Sequence, residues 1–269
     1  MASTTPSAAT APVGRGEGTS DPGWTRIGAI AAYSAGGALL VQTLLYLADA
    51  ANLLGPSPTF HRTAAGVLQD TATYYVAYFA HQHHILWDIA LRDSIGPIGW
   101  IGLVVAALAV ANLVGVRPAL ARLMVVLVAV GAGLEVLEDL TFLSLTNYWR
   151  NPGWHGTPAA GMVAVGRAVE SIDSLSSMFQ RSGYVVLAAA LVLLGLLCRA
   201  EARLPSRLGP FAYAVSLGVF ASAIASILEA TTAFNVIGLV VGVVLAPTFL
   251  LLVGWHLAVL ARYGTAPRE

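Results

Sequence analysis

Lysine is missing from this chain: all fourteen basic residues are arginine. No lysine Schiff base can form, so a retinal protein is excluded, and the arginine bias points to a GC-rich bacterial genome. Cysteine is nearly missing too. Cys198 stands alone, which excludes an intrachain disulfide and a cysteine-based zinc site. Charged residues make up 10% of the chain, against about 25% in an ordinary soluble domain, and the formal net charge is zero. With no basic stripe either, nucleic acid is not a partner. Glycine-rich phosphate loops, a Gly-x-Ser-x-Gly elbow, Glu-x-x-His and His-Glu-x-x-His are absent, which leaves ATP-driven transport and serine hydrolysis without support.

What is abundant is apolar sequence: 57% of residues are hydrophobic and the mean hydropathy is +0.74. A membrane-spanning helix needs about 20 apolar residues. Six stretches qualify: Ile27–Ala48, Ile95–Val116, Ala119–Ser144, Gly183–Cys198 with a few preceding residues, Pro210–Ala230 and Val236–Leu260. The first is too long for a signal peptide, although Ala48-Asp49-Ala50 has small residues spaced as at a cleavage site. The fold expected is therefore all-α, a polytopic membrane helix bundle of about six transmembrane helices plus an outward-facing interfacial helix. Gly238-x-x-x-Gly242 and Ala129-x-x-x-Gly133 are the small-residue pairs expected to bring helices together.

Arginines set the orientation. They follow the second, fourth and sixth stretches (Arg117, Arg199, Arg262) and precede the first (Arg15, Arg26), so the positive-inside rule predicts both termini in the cytoplasm. The expected layout is a disordered cytoplasmic tail over 1–23, a six-helix domain over 24–262 and a cytoplasmic tail over 263–269. The long loops, 49–94 and 145–182, then face outward from a bacterial cytoplasmic membrane, and the lipid bilayer is the first partner.

Ten of the fourteen carboxylates fall in the outer half of this layout. Asp49, Asp70, Asp93 and His61 read as ordinary wet-loop residues. Glu135, Glu138 and Asp139 do not, because spacings of three and four residues put all of them on one face of the third span. At about 1.5 Å per residue, Glu135 lies roughly 14 Å below the outer end. A carboxylate there must face the bundle interior and be protonated or paired. These acids are the expected catalytic or ligand-holding groups.

Two further clusters are expected to bind a ligand beside them. The first holds Tyr78, His81, His84, Trp87 and Asp88, which as one helix place His81, His84 and Asp88 on a common face; its aromatics suit an interfacial helix capping the bundle. Ser94-Ile95-Gly96-Pro97 is read as a break before the second span. The second holds Glu170, Asp173, Ser174 and Ser177 on an outer extension of the fourth span, with Arg181 a turn on. Glu229 near the outer end of the fifth span is a companion. His84, Asp88 and Glu138 offer donors to a divalent metal, but without a recognised ligand motif no cofactor is expected.

Ser182-Gly183-Tyr184 opening the fourth span, Leu204-Pro205-Ser206-Arg207-Leu208-Gly209 before the fifth, Arg26-Ile27-Gly28, Glu135 and Trp255 together carry a resemblance. The chain resembles a family of uncharacterised six-span bacterial membrane proteins known as domain of unknown function 4386. It departs from that family in lacking an arginine shortly before the third-span Glu and in carrying Pro247 where a last-span Glu is often seen. The resemblance implies six spans and no activity.

The residues favour a non-enzymatic protein whose outward cavity binds a small or lipophilic molecule, as sensor, binder or transport-related module. The alternative is an intramembrane enzyme in which a buried carboxylic acid protonates an isoprenoid-like substrate. A proton-coupled transporter centred on Glu135 is a third reading, without the inverted repeats such proteins show.

Overall fold

The computed structural model describes residues 22–58 and 71–264. Every regular element among them is helical: α1 (Pro22–Ala50), α2 (Ala72–His84), α3 (Leu86–Ala111), α4 (Pro118–Arg150), α5 (Ala159–Ala200), α6 (Leu208–Ile227), α7 (Thr231–Gly238) and α8 (Ala246–Tyr263). A π-helical stretch, Leu239–Leu245, joins α7 to α8, so the three act as one span. Six helices are long and apolar enough to cross a membrane. The protein is an all-α polytopic bundle. The tail over 1–21 and the expected loop residues His61 and Asp70 lie outside the described residues.

Packing follows chain order. α1 lies on α3, α3 on α4, α4 on α5 and α5 on α6, while α8 returns to α1 and touches α6 more sparsely. The result is a ring of helices around a partly open interior. Small residues set the tightest approach: a Cβ on Gly28 of α1 would collide with Ala109 of α3, and one on Gly102 of α3 would stand 2.9 Å from the Ala31 carbonyl. The anticipated pairs behave differently. Ala129 and Gly133 lie exposed on the outside of α4, and Gly238 has open space where a Cβ would sit. Only Gly242 makes its close approach, against Thr43. Spacing alone marks a smooth stripe, and the neighbouring helix decides whether the stripe is used.

Two cores result. The half of the ring toward Arg117, Arg199 and Arg262, named the inner half for the expected orientation and the opposite end the outer, is packed by small and aliphatic residues such as Ala32, Ala106, Leu197, Ala212 and Leu257. A second, aromatic core at the outer end gathers Tyr75, Phe79, Trp149 and Trp154 with Ile85 and Leu145. It seats α2 across the outer ends of α4 and α5 as a lid.

Three expectations are corrected here. The chain turns at Ile85 (φ −98°, ψ 17°), so His81 and His84 end one helix and Asp88 begins another; the three share no face. Ile85 itself is buried in the aromatic core, and that burial fixes the bend. The second span starts at Leu86, nine residues before the expected Ile95, and runs unbroken through Pro97. Proline inside a membrane helix is tolerated where neighbouring groups satisfy the backbone carbonyl it frees. Last, the expected long loop over 145–182 is mostly helix: the outer extension expected of the fourth span reaches back to Ala159, making α5 a single helix of 42 residues, about 63 Å long, of which roughly half extends past a hydrocarbon core about 30 Å thick.

Candidate functional site

A cavity of about 630 Å³ occupies the ring interior, within the range of about 300–1,000 Å³ usual for small-ligand sites. Its lining changes along its length. Below the level of Glu135 the walls are aliphatic, from Leu103 and Val110 of α3 to Val128 of α4, Leu191 of α5 and Val253 of α8. Above it they are polar, and Tyr78 and Gln82 of the lid stand over the outer end.

The α4 acids Glu135, Glu138 and Asp139 all line this cavity, as the shared helix face requires. Glu135 is 2% exposed and its Oε1 has no hydrogen-bond partner among the described residues. Its carboxyl occupies a slot that exists because residue 183 on the facing α5 is glycine; a Cβ there would collide with Oε1. Asp139 has a matching slot at Gly96 of α3, where its Oδ1 accepts a 2.6 Å hydrogen bond from Gln42 Nε2 of α1. Two glycines on opposite walls therefore admit two carboxyls on one helix. Glu138, between them, is half-buried.

Sequence reasoning missed Arg92. Its Nε donates to Asp93 Oδ1 at 2.9 Å, and its guanidinium lies over the Phe142 ring at 5.3 Å and the Tyr46 ring at 6.0 Å. Residue and partner are both buried, and both line the cavity. Asp93 is accordingly no wet-loop residue: one oxygen holds Arg92 and Oδ2 has no partner among the described residues. Asp49 is likewise engaged, accepting from His81 Nε2 at 3.0 Å. No signal in the sequence marked it, because Arg92-Asp93 before Gly96-Pro97 has the composition of a loop.

The remaining expected site residues divide. Tyr78, Asp173 and Glu229 line the cavity, Glu229 from an exposed rim. Burial first, then the Asp173 carboxylate, hold the Tyr78 phenol well above its ordinary pKa, so it remains a neutral hydrogen-bond donor. His81 and Glu170 lie off the cavity. His81 ties the lid to Asp49 and Ser57, and Glu170 accepts from Tyr75 Oη at 2.8 Å, fixing the lid to α5. His83, a neighbour in the same cluster that was not expected to bind the ligand, adds a third tie by donating from Nδ1 to the Trp149 carbonyl at 2.8 Å. His84 and Trp87 are exposed, with Trp87 58% so, and neither reaches the cavity. Asp88 is fully buried beside Arg92 but outside the cavity lining. An exposed His84 and a buried Asp88 on different helices do not converge with Glu138. Among the described residues no three His, Cys, Asp or Glu side chains form a metal-holding group.

No protein-family model, curated protein or solved structure matches the chain. What the site does must be argued from its own geometry.

Proposed function

We propose that this protein binds an amphiphilic small molecule within a bacterial cytoplasmic membrane, its polar group among Glu135, Glu138 and Asp139 and its apolar chain in the aliphatic part of the cavity. One observation carries the reading: a single continuous cavity passes from buried carboxyls to Leu, Val and Ala walls, and at the boundary the Glu135 Oε1 is buried without a partner. An unpaired buried carboxyl is costly, and a ligand supplying a donor offsets that cost.

The cavity's polar end lies at the end of the bundle away from Arg117, Arg199 and Arg262, so by the positive-inside rule it faces outward with both termini cytoplasmic. Single cysteines at Ser57 and Thr157 should label from outside intact cells, and one at Ser206 only after permeabilisation; the native Cys198 is buried. Labelling of residue 206 in intact cells would reverse the orientation.

The ligand is sought by mass spectrometry of lipid extracted from the purified protein, wild type beside Glu135→Gln. An amphiphile enriched in the wild type and depleted in the variant supports binding, and identical extracts refute it. The enzymatic alternative draws on the same Glu135 as a general acid. It predicts an isoprenoid-type product that appears in, or vanishes from, the host's total lipid when the gene is added or removed.

A further inference from the structure

The charge balance at the polar end goes further and, resting on the amphiphile-binding reading, identifies the class of head group. Seven carboxylates line the cavity against two arginines, Arg92 and Arg181. The arginines are already engaged. Arg92 is bonded to Asp93 and covered by aromatic rings, and Arg181 Nε donates to Ser226 Oγ at 3.0 Å, tying α5 to α6. Asp49 has His81. With Glu229 set aside at the rim, Glu135, Glu138, Asp139 and Asp173 face the cavity with no arginine or histidine bonded to them among the described residues.

Acidic side chains can gather for many reasons, but the Glu135 carboxyl is a separate fact. It is 98% buried by its 2% exposure, lines the cavity, and leaves Oε1 without a partner on a wall carved to receive it by Gly183. Such a group asks for a donor from the cavity side. An anionic head would find no free cation to hold it, since both arginines are engaged. A hydroxyl has one proton to give. A primary ammonium brings three N–H donors together with positive charge, and the walls that flank the acids include the rings of Tyr46, Phe142 and Tyr184, surfaces that attract a cation. Arg92 already uses two of those rings in that way. We infer that the natural ligand is a cationic amphiphile, an alkyl or isoprenoid-like chain ending in an amine, whose head sits between Glu135, Glu138 and Asp173.

Trp100 of α3 lines the cavity near the boundary between its polar and aliphatic parts, which gives a direct readout. The protein in phosphatidylcholine nanodiscs is titrated with three probes sharing a bromine-tipped undecyl chain and ending in a primary ammonium, a hydroxyl or a carboxylate. Bromine quenches tryptophan emission, and Trp100→Phe reports quenching from probe merely dissolved in lipid. The ammonium probe should quench Trp100 at about tenfold lower concentration than the hydroxyl probe, and the carboxylate probe should be weakest. Glu135→Gln with Glu138→Gln should erase the ammonium preference while alkyl-chain quenching persists. A hydroxyl or carboxylate probe that equals or beats the ammonium overturns the cationic head but keeps the amphiphile. An ammonium preference that survives the double substitution also overturns the assignment, by placing the head elsewhere. If no probe exceeds the Trp100→Phe background, the amphiphile-binding reading itself fails.

Discussion

The two ends of this bundle treat buried polar groups in opposite ways. At the inner end they are partnered. Glu201 Oε2 accepts from the backbone amides of Gly115 and Val116 at 2.7 and 3.1 Å, which locks the α3–α4 turn against the α5–α6 loop. His256 Nε2 donates to the Arg203 carbonyl at 2.8 Å, and Arg199 lies 5.2 Å over the Tyr213 ring. At the outer end the cavity keeps Glu135 Oε1, Asp93 Oδ2, Asp139 Oδ2 and Gln82 Oε1 unmatched among the described residues, with both Asp88 oxygens beside it in the same condition. Buried polar groups in folded proteins are nearly always satisfied, so an unsatisfied set confined to one end, beside empty volume, separates the part that folds the chain from the part that waits for something. Within the outer end the aromatic lid core is scaffold as well: His81, His83 and Glu170 tie it down, although Trp149 and Trp154 each bury an Nε1 without a partner among the described residues.

The contrast can be broken most forcefully at Arg92, a buried outer-end group that is both scaffold and site wall. Arg92→Leu leaves Asp93 buried without its cation and should cost about 3–5 kcal/mol of stability, read as a large drop in melting temperature in detergent. Adding Asp93→Leu should recover most of that loss, because the stranded charge is then gone. A variant that melts like the wild type would show that Arg92 holds nothing together and belongs wholly to the site.

The next effect is at the inner end. Glu201→Ala strips two buried amides of their acceptor and should cost about 1–3 kcal/mol. Quenching of Trp100 by the ammonium probe should not change, since the cavity lining does not include Glu201. Loss of binding in Glu201→Ala would mean the two ends are coupled and the division drawn between them is wrong.

The sequence carried the division only in part. The six spans were legible because length and apolar content decide them almost unaided, and the common face of Glu135, Glu138 and Asp139 follows from helical spacing alone. Arg92 was not legible, because Arg92-Asp93 before Gly96-Pro97 has the composition of a loop; only burial against Phe142 and Tyr46 from two other helices lets the span start at Leu86. The same limit hid the slots at Gly96 and Gly183. A glycine records that space is needed, whereas the carboxyl filling it belongs to a residue dozens of positions away. The lid was expected with Tyr78, His81, His84, Trp87 and Asp88 beside the ligand, and of these only Tyr78 lines the cavity. Gln82 joins it, and the turn at Ile85 sends the chain away from the cavity.

The smallest effect on stability is expected from the residue that matters most for the proposed function. Glu135→Gln keeps the shape of the side chain and removes a buried carboxyl that lacks one of its partners. It should change the unfolding free energy by less than about 1 kcal/mol, in the stabilising direction, as is common where function rather than folding maintains a residue. Binding of the ammonium probe should fall in the same protein. The decisive comparison is with Glu201→Ala measured side by side in the same detergent. If Glu135→Gln destabilises as much, its carboxyl is a lock between α4 and α5 seated in the Gly183 slot, and the outer end is scaffold like the inner. If stability holds while binding drops, the two carboxylates have been separated by role: Glu201 folds the chain, and Glu135 meets the ligand.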